Sequence, residues 1–342
     1  MKTALITGIT GQDGSYLGEF LLAKGYEVHG IVRRASMFNR SRIEHLRADP
    51  KVYGERLFLH YADLQDVTSL RRIFRDVAPV EVYHLAGQSH VGLSFAVPES
   101  TLQEVSVSTL SILEICRDLP VSPRIYHASS SEVFGIPDTV PQDLSTAFRP
   151  ENPYGCAKVF ATSMCRVYRR VHGLFVVSGI AYNHESPRRG ENFVTRKIAS
   201  AAARWHAGDH TPIEVGNLDA ARDWGYAPEY VEAFWKMLGR ENPEDFVLAT
   251  GEMTRLRDFI CHCFSAAGID LNFEGQGLEE RAVDAESGKE VLRVSERFFR
   301  KVDTGNLVGD PSKAKEKLGW KAETRGIRLA EVLVQAEIDA FV

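Results

Sequence analysis

The sequence has no apolar run approaching the roughly 18–20 residues that a membrane helix requires, so no membrane partner is expected. Its opening, MKTALITGITG, lacks the apolar core and cleavage site of a secretory leader and enters a strand-like segment at once. Cysteine is scarce. Five in 342 residues, an odd number, form no disulfide framework, and a reducing, cytoplasmic location is expected. A strong charge of one sign is also missing: 41 Lys and Arg against 46 Asp and Glu leave a net charge of -5. No global field for nucleic acid follows from that balance, so an anionic small molecule must be met by locally placed Arg and Lys. Internal repeats, low-complexity tracts and Pro/Gly/Ser-rich linkers are absent. The Cys261-His262-Cys263 run has no second ligand pair at zinc spacing and lies in a helix-period stretch, so packing is expected there, and no metal.

What is present is alternation. Short apolar runs at 3–7, 27–32, 57–61, 80–85, 124–128 and 175–181 read as strands. Helix-period segments at 16–24, 68–76, 109–118 and 154–171 lie between several of them. Repeated strand–helix–strand units of this length imply an α/β fold: a doubly wound parallel sheet covered on both faces, with ligands at the carboxyl ends of its strands. After about residue 183 the pattern loosens into short strands (213–215, 246–249) and helices (255–267, 329–341). A smaller, interleaved C-terminal α/β substrate lobe is expected, with 1–182 and about 224–251 in the first unit and 183–223 and 252–342 in the second.

Gly8-Ile9-Thr10-Gly11-Gln12-Asp13-Gly14 follows the first strand directly and opens the first helix. In that context the three glycines permit a tight turn, a close backbone approach to a pyrophosphate, and close helix–strand packing. A dinucleotide is therefore expected. The second strand ends in Arg33-Arg34-Ala35-Ser36 rather than in the acid that would accept from a ribose 2′-hydroxyl. Arg33, Arg34 and Ser36 suit a 2′-phosphate, which favours NADP. Asp63-Leu64, after the third strand, is placed for an adenine contact.

Tyr154 and Lys158 stand at i and i+4, on one helical face. A free tyrosine is only roughly one part in a thousand ionised at pH 7, so a lysine one turn away and an oxidised nicotinamide are needed to make it a base. Ser129-Ser130-Ser131-Glu132 sits at the carboxyl end of the fifth strand, where a hydroxyl can orient the substrate oxygen and Glu132 can move protons.

These motifs, in this order, resemble those of the extended short-chain dehydrogenase/reductases, whose fold is an NAD(P)-binding Rossmann sheet. Further segments resemble the GDP-mannose 4,6-dehydratases: Ala86-Gly87-Gln88-Ser89-His90-Val91, Asn183-His184-Glu185-Ser186-Pro187-Arg188-Arg189-Gly190, Val194-Thr195-Arg196-Lys197, Leu218-Asp219-Ala220-Ala221-Arg222-Asp223-Trp224-Gly225, and Gly309-Asp310-Pro311-Ser312-Lys313-Ala314. That resemblance implies a redox-neutral dehydration of a GDP-sugar, catalysed by Ser130, Glu132, Tyr154 and Lys158. It implies cofactor contacts from Gly8, Thr10, Gly11, Gln12, Asp13, Gly14, Leu85, Ala86, Gln88, Ser89, Lys158, His184 and Arg189. It places Ser89, Asn183, Val194, Lys197, Gly216, Arg222, Arg300 and Asp303 on the substrate, beside Ser130, Glu132 and Tyr154.

Several positions depart from the family pattern. Ser130 stands where Thr is frequent, Phe134 replaces a frequent Tyr, and Ser100 stands where a cofactor-contacting Tyr is expected. The usual Arg-Pro-x-Glu reads Arg300-Lys301-Val302-Asp303, which leaves a GDP-heptose or another GDP-sugar open beside GDP-mannose. An epimerase or 4-ketoreductase on the same fold is the other alternative, disfavoured by Glu132. The basic segment 33–42 is long for a strand–helix connection, and in the resembling family it reaches a neighbouring subunit, so a homodimer or homotetramer is expected.

Overall fold

The computed structural model describes residues 1–35, 39–298 and 307–341. Strands β1 (Thr3–Thr7), β2 (Glu27–Val32), β3 (Leu57–Tyr61), β4 (Glu81–His84), β5 (Arg124–Ser130) and β6 (Val176–Ala181) form one parallel sheet, joined later in the chain by β11 (Phe246–Leu248). Their spatial order is β3-β2-β1-β4-β5-β6-β11. All of its pairings are parallel. This is the doubly wound order, and its reversal between β1 and β4 opens a crevice at the strand carboxyl ends.

The alternation of side chains along each strand explains both covering layers. Ala4, Ile6, Tyr83, Tyr126 and Val177 point into one core, closed by helices Gln12–Ala23 and Ala227–Leu238. Leu5, Val82, Ile125 and Val176 point into the other, closed by Val67–Val77, Ser108–Asp118 and Pro153–His172. With both faces buried, the strands read as continuous apolar runs rather than alternating ones.

A separate core joins helices Val194–His206, Leu256–Ala266 and Gly326–Asp339 to a four-stranded sheet. That sheet orders β13 (Leu271–Glu274), β14 (Arg281–Asp284), β15 (Glu290–Val294) and β8 (Ile213–Val215). Two small ribbons stitch the crossings: β7 (Asn183–Glu185) with β10 (Trp224–Tyr226), and β9 (Ala221–Arg222) with β12 (Thr254–Arg255). The chain then returns to the first core, where Ala314 and Trp320 pack. Cys263 is buried in the second core, and among the described residues no cluster of three metal-ligating side chains forms. Among them, too, no helix is long and apolar enough to cross a membrane.

The first helix begins at Gln12, earlier than its apolar period suggests, because its first turn, Gln12-Asp13-Gly14, lines the cleft rather than the core. Strands β13–β15 escaped the sequence reading; each is four or five residues long and is held by antiparallel partners.

Asp223, between β9 and β10, is the buried tie between these parts. It accepts from Thr250 N (2.9 Å), Thr250 Oγ1 (2.7 Å), Gly251 N (3.0 Å) and Gly309 N (3.3 Å). Removing it strands three backbone donors, at about 1–3 kcal/mol each. Asp223→Ala is therefore expected to lower stability by about 3 kcal/mol or more, read as a fall in the urea midpoint at unchanged slope.

Candidate active site

The crevice at the strand ends is a cleft of about 1300 Å³. That exceeds the roughly 300–1,000 Å³ of a pocket for one small ligand and has room for two. Its floor is the glycine turn. Gly8 has φ +77°, and a Cβ there would sit 3.0 Å from the Ala86 backbone; one at Gly14 would sit 2.2 Å from the Gly8 carbonyl oxygen. Gly11 caps helix Gln12–Ala23 without a side-chain bond, so first-turn N–H groups remain for an anion. The turn therefore fits a dinucleotide pyrophosphate.

Buried polar pairs fix this turn from both sides. Thr7 Oγ1 accepts from Leu85 N (3.1 Å) and Ala86 N (3.2 Å), which leaves its own proton for His84 Nδ1 at 2.9 Å. His84 Nε2–H then donates to Thr109 Oγ1 at 3.2 Å. The imidazole is neutral, pushed down to about 3 by burial and by the Lys158 charge. On the other side His184 Nε2 donates to Asp13 at 2.9 Å and its Nδ1–H to the Tyr182 carbonyl at 2.7 Å. Burial opposes both charges, but the charge and hydrogen bond of each partner prevail: the Asp13 carboxyl is lowered and the His184 imidazole raised. Gln12 Nε2 donates to the His184 carbonyl at 3.0 Å, and Gln12 Oε1 accepts from Ser186 Oγ at 2.8 Å.

The catalytic group is assembled where β5 meets helix Pro153–His172. Lys158 Nζ donates to the Ala128 carbonyl at 2.6 Å, and Ser129 and Thr162 hydroxyls meet at 2.7 Å, fixing the helix on the strand. Its first turn presses on the turn Ser131–Val133, since a Cβ at Gly155 would lie 2.6 Å from the Glu132 carbonyl oxygen. Asn152 caps the helix, accepting from Gly155 N at 2.8 Å, and donates to Glu132 Oε2 at 2.7 Å. Burial raises the Tyr154 phenol to about 12, with the Glu132 charge adding, while a Ser130 hydrogen bond and Arg189 pull it down. Burial lowers Lys158 to about 8. Its ammonium lies 5.6 Å from the Tyr154 ring centroid and remains mostly protonated at pH 7.

Ser130, Glu132, Tyr154 and Lys158 all line the cleft. So do the expected residues of the glycine turn, Arg33, Asp63, Leu64, Leu85, Ala86, Gln88, Ser89, His184 and Arg189. On the far wall stand Asn183, Val194, Lys197, Gly216 and Arg222. Arg34 is exposed on the loop after β2 and is not among the lining residues; Ser36, Arg300 and Asp303 lie outside the described residues.

Lys197 Nζ donates to the Glu214 carbonyl at 2.6 Å and lies 4.0 Å from the Phe298 ring centroid. Arg189 pairs with buried Glu185 at 3.2 Å and stacks over Phe193 at 3.8 Å. Arg42 was expected only as part of the basic segment 33–42, and Glu104, Asn152, Arg297 and Phe298 also line or adjoin the cleft without having been expected there. Arg42 bonds the Arg188 carbonyl at 2.7 Å, and Glu104 lies 3.8 Å from Arg33. Asn before Pro at a helix start is a cap signal that pointed to Asn152; its contact with Glu132 had none.

The doubly wound sheet, the glycine turn and the Ser130–Tyr154–Lys158 cluster are together those of an extended short-chain dehydrogenase/reductase. Solved structures share the fold. The dTDP-glucose 4,6-dehydratase of Streptomyces venezuelae, with NAD bound, superposes with a TM-score of 0.80 at 22% identity, over 98% of this chain and 95% of that one. RMD from Pseudomonas aeruginosa, complexed with NADPH, gives 0.79 at 22% identity, over 99% and 100%. The profile of the family described as GDP-mannose 4,6 dehydratase matches residues 5–332. The GDP-mannose 4,6-dehydratase of Yersinia enterocolitica is 47% identical over 94% of this chain and 90% of its own length. The human GDP-mannose 4,6 dehydratase is 46% identical over 99% and 92%. The chain belongs to the GDP-mannose 4,6-dehydratase family.

The Asp13–His184 pair carries a pH signature. A raised histidine contributes stability that is full below its unfolded value of about 6.5 and fades as pH rises through the higher folded value; a lowered carboxyl contributes above about 3.8 and loses it as pH falls. The melting-temperature deficit of Asp13→Asn is therefore expected to be largest between about pH 4 and 6.5 and to shrink at higher pH. A deficit that grows above pH 8 contradicts the pairing.

Proposed function

We propose that this cleft converts GDP-mannose to GDP-4-keto-6-deoxy-mannose with NADP. The observation that carries the reading is Glu132 and Tyr154, a carboxylate and a phenol, converging on one cleft wall beside Lys158. The Gly8–Gly14 turn receives the cofactor pyrophosphate, Arg33 with Ser36 the 2′-phosphate, and Asp63-Leu64 the adenine. When bound, the oxidised nicotinamide supplies the acceptor for the C4 hydride, a positive charge that favours the Tyr154 phenolate, and afterwards the hydride delivered to C6.

Ser130 donates to the sugar O4 while Tyr154 takes the O4 proton, with the Lys158 ammonium stabilising the phenolate. The 4-ketone so formed acidifies the C5 hydrogen, and Glu132 removes it. The C6 hydroxyl leaves as water with the proton carried by Glu132, forming a C5=C6 double bond; as C6 is reduced C5 is reprotonated, the proton that Tyr154 took from O4 balancing the one that left in the water. Lys197 and Arg222 meet the diphosphate. Residues 1–182 with about 224–251 serve the cofactor, and 183–223 with 252–342 the nucleotide sugar, save that His184 and Arg189 face the cofactor and Ala314 and Trp320 pack in the first core.

A reducing cytoplasm suits the five cysteines, all unpaired. The chain self-associates to a dimer or tetramer. Support for this comes from Leu102, Val107 and Phe160, exposed apolar side chains on adjoining helical segments.

Two measurements test the reading. Mass spectrometry of GDP-mannose with the NADP-loaded protein is expected to show loss of one water at constant NADPH absorbance, faster than with NAD. Glu132→Gln should slow turnover about 10²–10⁴-fold, and wild-type turnover in that variant removes Glu132 from the chemistry. Sedimentation at micromolar concentration is expected to show a dimer or larger, reduced to monomer by Phe160→Asp; a monomeric wild type contradicts self-association.

A further inference from the structure

Glu132 has two tasks on neighbouring carbons, taking a proton from C5 and giving one at the C6 oxygen. A carboxylate free to turn serves neither well, because a displacement of about 1 Å can cost about 10²-fold in rate. The group that stops it turning is Asn152, which is 6% exposed. The orientation of its amide is settled by donor–acceptor arithmetic. Gly155 N–H, 2.8 Å away, can meet only Oδ1, so Nδ2 faces Glu132 Oε2 at 2.7 Å. Asn152 also begins the helix turn that carries Tyr154, and Gly155 lies against the Glu132 backbone from the same turn.

We infer that Asn152 is a positioning residue for Glu132. It engages Oε2 and leaves Oε1 for the proton transfers. It also sets the distance between the group that acts at C5 and C6 and the one that acts at O4, because one amide touches both the carboxylate and the helix cap. This rests on the reading of Glu132 as the C5 base and C6 proton donor. Capping alone asks only for an acceptor at position 152, which Ser or Asp supplies as well as Asn; the donor to Glu132 is what Asn adds.

Asn152→Ser and Asn152→Asp separate the two roles, since each keeps the cap acceptor and neither presents an N–H to Glu132. Turnover of GDP-mannose is expected to fall about 10- to 100-fold in both, with KM within about threefold. With substrate deuterated at C5, a primary isotope effect is expected to exceed that of wild type, as C5 proton removal becomes limiting. The isotope effect is a ratio and is unaffected by any unfolded fraction of a variant. Wild-type turnover and isotope effect in both variants overturn the inference. If that occurs while Glu132→Gln is inactive, the role of Glu132 stands and only the positioning role falls; if Glu132→Gln turns over normally, the reading of Glu132 fails first.

Discussion

The contact on which this active site depends is the seating of one helix turn on the end of one strand. Helix Pro153–His172 approaches β5 so closely that position 155 admits no side chain beyond hydrogen against the Glu132 carbonyl. Three polar bonds then fix that approach: Lys158 to the Ala128 carbonyl, Ser129 to Thr162, and Asn152 to Glu132. Lys158 therefore has two consequences at once. Its bond to the strand positions the helix, and its burial, which lowers it to about 8, leaves it mostly charged near Tyr154 at neutral pH.

Burial alone would make the site inert. It raises the Tyr154 phenol to about 12 and disfavours the Asp13 and His184 charges. At Asp13 and His184, where opposite charges meet, the partner prevails over burial. His84 and His184 are both buried beside the glycine turn, yet their imidazoles shift in opposite directions. His84 sits between two hydroxyls, faces the Lys158 charge and is neutral. His184 meets the Asp13 carboxylate and is raised. His84 holds Thr7, whose Oγ1 accepts from Leu85 N and Ala86 N beside Gly8, and His184 ties Asp13 at the helix start to the segment after β6, so the cofactor turn is held by two chemically different clamps.

The second core matters because the chain crosses into it and back. Strand β7 leaves the main sheet carrying Asn183, His184 and Glu185 toward the cleft. Helix Val194–His206 and β8 then bring Lys197 and the approach to Gly216 to the opposite wall. Buried Asp223, between β9 and β10, bonds the returning segments at Thr250, Gly251 and Gly309.

The strand–helix alternation, the glycine turn, the basic end of β2 and the i, i+4 spacing of Tyr154 and Lys158 are written in the order of the residues. These are set by local periodicity and by backbone requirements of single residues, and each was legible without knowing what lies across the cleft. The helices read from the residues end within a few residues of their bounds, the first starting four residues early, but Val194–His206 and Ala227–Leu238 are not among them. Folding is what places β11 beside β6, pairs β13–β15, shifts His84 and His184 in opposite directions and brings Asn152 to Glu132. Those outcomes depend on partners brought together from distant parts of the chain. Pairing, desolvation and hydrogen-bond direction exist only once those partners meet.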